Sequence, residues 1–124
     1  GGHQKQNDQG KVFPILGICQ GLELMLYLTS NHRADFLDSI QGQNGVWNTM
    51  KLLREDYFLI DGVSDEGLEV IQDPSKTKEK GIMYFFHSNG TLQSTFDRDT
   101  KLNSFWNLMG TTTSTSGQIV VSYL

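Results

Sequence analysis

Apolar positions fall in dense clusters separated by polar, glycine-rich stretches. Val12, Phe13, Ile15, Leu16 and Ile18 form a nearly continuous apolar run, the pattern of a strand buried on both faces of a parallel sheet. Leu22, Leu24, Met25, Leu26 and Leu28 follow at once, predicting a helix buried on most sides that ends near Asn31. Residues 35–40 predict a short strand and residues 41–45 a loop, with Trp47 beyond it as a packing anchor. Residues 50–53 and 57–60 are short apolar runs whose pattern assigns no element type. Ser64 is placed to cap a helix over 66–72, with Leu68, Val70 and Ile71 inward, and Asp73-Pro74-Ser75 stops it. Residues 81–87 read as a buried strand. Leu102, Phe105, Trp106 and Met109 fall at i, i+3, i+4 and i+7, one apolar helix face belonging to the core. Residues 110–117 predict a polar loop and residues 118–124 a final strand. The alternation of helices and strands predicts an α/β domain with a mostly parallel sheet. There is no internal repeat or interdomain linker, so residues 1–124 are read as a single domain.

The first strand and helix meet at Gly17-Ile18-Cys19-Gln20-Gly21, which holds the chain's only cysteine. Gly-x-Cys-x-Gly between a strand and a helix has the shape of a nucleophile elbow, whose sharp turn exposes the residue at its tip. The flanking glycines are expected to remove side chains that would collide in that turn. A cysteine there also faces the first N–H groups of the helix, which stabilise a thiolate and hold an oxyanion. The pattern alone equally describes a buried cysteine closing a core strand. The order strand, turn, buried helix is what favours the elbow.

The stretch Phe13-Pro14-x-x-Gly17-x-Cys19-x-Gly21-x-Glu23 resembles the active-site segment of the γ-glutamyl hydrolases. These folate-polyglutamate hydrolases are relatives of the class I glutamine amidotransferases. Phe86-His87-Ser88-Asn89, then Lys101-Leu102-Asn103-Ser104-Phe105-Trp106-Asn107-Leu108 and the threonine-rich tract 111–115, follow the same family's order. The resemblance covers about residues 11–30 and 82–124. It implies a three-layer sandwich with a mostly parallel, flavodoxin-like sheet, incomplete in this chain. It implies a cysteine hydrolase cleaving γ-glutamyl amide bonds, such as those of folate poly-γ-glutamates, through a thioester on Cys19. The Gln20 N–H would supply half of the oxyanion hole. Glu23 stands where ammonia-channelling glutaminases typically carry glutamine. Its carboxylate would meet the substrate ammonium, or it is an acid favoured by the helix dipole. His87 lines the pocket in the family but is not its base; the other reading is a strand-end histidine bonded locally. Gly1-Gly2 would be the second oxyanion loop, or an unrelated start. His3 and His32 read as surface residues. The family's base lies in a His-x-Pro-Glu segment that these residues do not contain, so independent turnover is not expected and the chain reads as a middle part of the enzyme.

Composition adds exclusions. With 37% hydrophobic and 19% charged residues the chain is not disordered by composition. A net charge of −4 gives no reason to expect nucleic acid or an anionic membrane, and no apolar run reaches the ~20 residues of a membrane span. Residues 76–80 read as a solvated loop. One cysteine permits no internal disulfide and no Cys-rich zinc site, and no metal or cofactor motif is present. The resemblance implies a lysosomal, vacuolar or secreted protein; Asn89-Gly90-Thr91 is a formal sequon but equally good turn chemistry. Open sheet edges would call for a homodimer or larger assembly. Two other functions stay open: a glutaminase subunit, and a non-catalytic structural component.

Overall fold

A computed structural model describes residue 10, residues 15–55 and residues 60–124. The elements are α1 (Gln20–Thr29), β1 (Asp38–Ser39), β2 (Asn44–Asn48), β3 (Lys51–Leu52), α2 (Asp65–Gln72), a 3-10 turn (Pro74–Lys76), β4 (Met83–Phe86), β5 (Asn89–Gly90), α3 (Gln93–Arg98), α4 (Thr100–Phe105), β6 (Gly110–Thr113) and β7 (Ile119–Tyr123). Among the described residues the strands form three small sheets, β1–β5, β2–β4 and β3–β6–β7, and every pairing is antiparallel. Residues 11–14, which carry half of the expected first strand, and residues 56–59 lie outside the described residues, as do Gly1-Gly2 and His3. Residues 15–18 are not strand, and Ile15, Leu16 and Ile18 are exposed. An apolar run becomes a strand only beside a partner, and these four residues have no ladder pairing with a described neighbour.

Local chemistry sets the helix ends. Ser64 Oγ accepts the Gly67 N–H at 3.1 Å, fixing the start of α2 as its sequence suggests. The Asp99 carboxylate accepts the Lys101 and Leu102 N–H groups at 3.1 and 3.0 Å and so starts α4. That helix ends at Trp106, which has extended backbone. Met109 therefore leaves the helix face its spacing implied. It is buried instead where its backbone N–H bonds to the Tyr123 carbonyl at 2.9 Å, a tertiary pairing that overrides helical periodicity.

The core gathers Leu26 of α1, Phe36, Phe96 of α3, Leu102 of α4 and Val121 of β7, with Leu22, Trp106, Leu108 and Leu124 packed against it. Two polar ties hold α1 to α4. The Trp106 indole N–H donates to Thr29 Oγ1 at 2.8 Å, and Arg33, just past α1, donates to both Asp99 oxygens at 3.1 and 2.9 Å. α1 buries only this side: Leu24, Tyr27 and Leu28 are exposed, where the sequence pattern implied burial nearly all round.

The threonine tract is the other difference. Thr111 and Thr112 are buried in β6, which pairs with β7, and Ser122 Oγ donates to Thr112 Oγ1 at 2.8 Å. β-Branched threonine suits a pleated backbone, and hydroxyls that satisfy one another can be buried. A stretch that reads as a polar loop is thus half a hairpin. β4 is a strand as expected, but in its two-stranded pairing with β2 its residues alternate between half-buried and exposed.

Candidate active site

Cys19 sits immediately before α1 with φ 58° and ψ −114°. Positive φ costs little for glycine but is strained for any residue with a Cβ, and this ψ lies outside even the small left-handed helical region. Such strain persists where the surroundings over-determine it, and it concentrates at functional sites. Three backbone bonds lock the turn: Gly21 N–H to the Ile18 carbonyl at 2.9 Å, and Leu22 and Glu23 N–H to the Cys19 carbonyl at 3.0 and 3.3 Å. The thiol caps nothing and is exposed. The Gln20 N–H, next in the chain, has no hydrogen-bond partner among the described residues. A free donor beside a nucleophile is what an oxyanion requires.

The two flanking glycines have different reasons. A Cβ at Gly17 would run into Met25 Sδ and lie 2.9 Å from the Gly21 carbonyl oxygen, so a side chain is excluded there. A Cβ at Gly21 would meet nothing within 4 Å, so the expected collision does not exist at the second glycine.

Cys19 opens onto a cleft of about 410 Å³ between α1, β4 and β7. Glu23 and His87 line the same cleft, so the structure brings together three of the four residues singled out from sequence. Gln20 is exposed and its side chain is not part of the lining; only its backbone is placed for a role. Glu23 lies one helical turn from Cys19 on the same face. His87 Nδ1 lies 3.0 Å from the Asn89 carbonyl. A carbonyl can only accept, so Nδ1 carries a proton in this contact. The His87 N–H donates to the Gln43 carbonyl at 3.3 Å, and the ring meets Phe85 edge-on with centroids 5.7 Å apart. Both readings of His87 therefore hold together: it is bonded locally and it lines the cleft. β5 forms the floor, where a Cβ on Gly90 would come within 3.2 Å of Val120 and 3.3 Å of Ile40.

Sequence reasoning missed the opposite wall. Met83, Tyr84 and Phe86 of β4 and Ser122 of β7 line the cleft. The signal was present as the unbroken aromatic run 84–86, read as strand core rather than as a surface.

A second, polar cleft of about 510 Å³ lies at the far end of α1, lined by Arg33, Asp35, Arg98, Asp99 and Lys101 among others. Its central charges are engaged with one another. Burial acts to raise the Asp99 carboxyl. The Leu102 N–H and the Arg33 guanidinium outweigh it and hold the group below the usual carboxylate range. Hydrogen bonding to Asp99 in turn raises Arg33. This is a structural clasp between α1 and α4. Among the described residues no group of three or more His, Cys, Asp or Glu is arranged to hold a metal ion, and no helix is long and apolar enough to cross a membrane.

No family model matches the chain. The chain is 25% identical over 122 residues to γ-glutamyl hydrolase 1 of Arabidopsis thaliana, an alignment that covers 95% of this chain and 32% of that protein. The similarity thus extends along nearly the whole chain, while the chain spans about a third of the relative's length.

Proposed function

We propose that this protein is a cysteine hydrolase of γ-glutamyl amide bonds that works through a γ-glutamyl thioester. The observation that carries the reading is the backbone of Cys19, a non-glycine residue at φ 58° at a helix start, with its thiol free and open to a cleft. In this reading Cys19 Sγ attacks the γ-carbonyl, and the Gln20 N–H stabilises the oxyanion. Glu23 meets the substrate ammonium one turn away. His87, its ring held by the Asn89 carbonyl, lines the cleft around the bound glutamyl group. The resemblance assigns the general base to a His-x-Pro-Glu segment and not to His87, so acyl transfer onto Cys19 is the first observable, ahead of turnover. Similarity to a named γ-glutamyl hydrolase supports the choice of bond.

The test is amine release from a γ-glutamyl amide by the protein and by its Cys19→Ala variant. Release that Cys19→Ala removes is the expected result. Release that survives Cys19→Ala contradicts the reading, and ammonia release from free glutamine as the main activity would favour a glutaminase subunit. The reading carries with it a three-layer, flavodoxin-like α/β sandwich, whose parallel strands would lie beyond the antiparallel pairs described above. It also carries a vacuolar, lysosomal or secreted location, which confinement to the cytosol on cell fractionation would contradict.

A second reading, a structural component of a larger assembly, is favoured by the exposed apolar side chains Leu16, Ile18, Leu24 and Leu28 around the start and outer face of α1. Such a patch marks an interaction surface. An assembly that is lost with the chain but unaffected by Cys19→Ala would support it.

A further inference from the structure

Asn89-Gly90-Thr91 is the only Asn-x-Ser/Thr triplet in the sequence, and its side chains are not used by the chemistry assigned to Cys19. As a sequence it reads equally well as a turn. The structure forms no turn there. Asn89 and Gly90 are β5, paired with Ser39 and Asp38 of β1, and the bend lies one residue earlier, at Ser88. Gly90 is accounted for by packing, since a Cβ would press on Val120 and Ile40. Thr91 is buried, and its carbonyl accepts the Val121 N–H of β7 at 2.8 Å. What the fold leaves unexplained is the asparagine. Asparagine is depleted in strands, and the structural work at position 89 is done by main chain, which pairs with β1 and whose carbonyl holds the His87 ring. The side chain is exposed and makes no hydrogen bond among the described residues. It stands at the mouth of the cleft that Cys19, Glu23 and His87 line.

We propose that Asn89 carries an N-linked oligosaccharide, acquired before β5 docks, and that this glycan restricts the Cys19 cleft to slender ligands. The inference rests on the vacuolar, lysosomal or secreted location carried by the reading above, because only a chain entering the secretory lumen meets the transferase. The co-substrate is an oligosaccharide linked to a lipid diphosphate. The Asn89 amide nitrogen bonds to the anomeric carbon, the bond from that carbon to the diphosphate oxygen breaks, and the lipid diphosphate leaves as an amide proton is lost. Acceptance requires the hydroxyl of the residue two positions on. Here that residue is Thr91, which folding buries against β7. Transfer therefore takes place while residues 89–91 are still free of β1 and β7. In the folded protein the exposed Asn89 side chain carries the sugar into solvent without displacing a core residue. A hydrated oligosaccharide at this rim crowds out a folded macromolecule before it crowds out an extended glutamyl chain.

The test begins with peptide mapping of the natural protein. Digestion with peptide N-glycosidase in heavy-oxygen water is expected to leave labelled aspartate at position 89 and to raise electrophoretic mobility. Asn89→Gln, expressed in a secretory host, loses that mobility change. Thr91→Ser keeps a hydroxyl and stays glycosylated. Thr91→Val keeps the shape and Asn89 itself but is not glycosylated, and circular dichroism checks that each variant is folded. In cell-free synthesis, microsomes present during translation yield the modified chain, and microsomes added to the folded protein do not. A maleimide on a large poly(ethylene glycol) alkylates Cys19 several-fold faster in Thr91→Val than in the glycosylated parent, while iodoacetamide reacts equally with both. A protein found in the secretory lumen or the medium with Asn89 unmodified overturns the inference and leaves the hydrolase reading and its location standing. Glycosylation of the folded chain overturns the order of events, and equal rates with the large maleimide overturn the restriction of the cleft. A cytosolic, unmodified protein overturns the inference together with the location; Cys19-dependent amide cleavage by the same preparation then shows that the chemistry survives.

Discussion

Replacing Cys19 by glycine should stabilise the protein relative to replacing it by alanine, although both remove the thiol. At φ 58° and ψ −114° a residue with a Cβ is held against steric repulsion worth about 1–3 kcal/mol. Cys19→Ala keeps that Cβ and keeps the strain. Cys19→Gly releases it, at the expense of about 0.5–1 kcal/mol for the greater freedom of glycine in the unfolded chain. The thiol is exposed and caps no helix N–H, so neither variant loses a packing or capping contact. The expected difference is about 0–2.5 kcal/mol in favour of glycine, or a Tm higher by up to about 10 °C for a domain of this size. Urea unfolding followed by tryptophan fluorescence measures it, since Trp106 packs against the core. A glycine variant less stable than the alanine variant would mean that the backbone at Cys19 is not strained, and Cys19 would lose the strained-turn geometry that marks it as a nucleophile.

Other perturbations separate residues that look alike in sequence. Gly17→Ala should destabilise by about 1–3 kcal/mol through the collision with Met25 and the Gly21 carbonyl; Gly21→Ala, with open space around it, should stabilise by about 0.5–1 kcal/mol, both read by urea midpoints. Asp99→Ala should cost about 0.5–2 kcal/mol for the lost α4 cap, whereas Asp99→Asn keeps a capping acceptor and loses only the charge facing Arg33; equal urea midpoints for the two would show that the cap contributes nothing. Because the folded Asp99 carboxyl is held below its ordinary value, its contribution is complete above the unfolded value near ~3.9 and is lost as pH falls through the lower folded value. Stability should thus drop below about pH 4, and less steeply in Asp99→Asn; an identical pH profile for the two proteins would contradict this.

What could be read from sequence was local. Ser64 and the start of α2 follow from a capping side chain and the next three residues. The sharp turn at Cys19 into α1 matches the five-residue pattern, but the strand expected before it is not formed by residues 15–18, and Glu23 follows from helical spacing after the turn. Strand partners were not legible, because short apolar runs have the same pattern in parallel and antiparallel sheets. Thr111 and Thr112 are polar by composition yet buried, since only the pairing of β6 with β7 supplies Ser122 to satisfy a hydroxyl. Met109 sits on an apparent helix stripe, but the chain turns extended at Trp106 to reach Tyr123. The aromatic wall of the cleft was misread for a related reason: a run of aromatics such as 84–86 announces a strand without saying which face stays open.

The central claim is that Cys19 takes up a γ-glutamyl group. Acid quenching during reaction with a γ-glutamyl amide, followed by peptide mass spectrometry, tests it directly. The account predicts a glutamyl adduct on the peptide containing Cys19, labile to hydroxylamine as a thioester is, and absent from Cys19→Ala. An unmodified Cys19 while the amide is being cleaved, or an adduct on another residue, would contradict it.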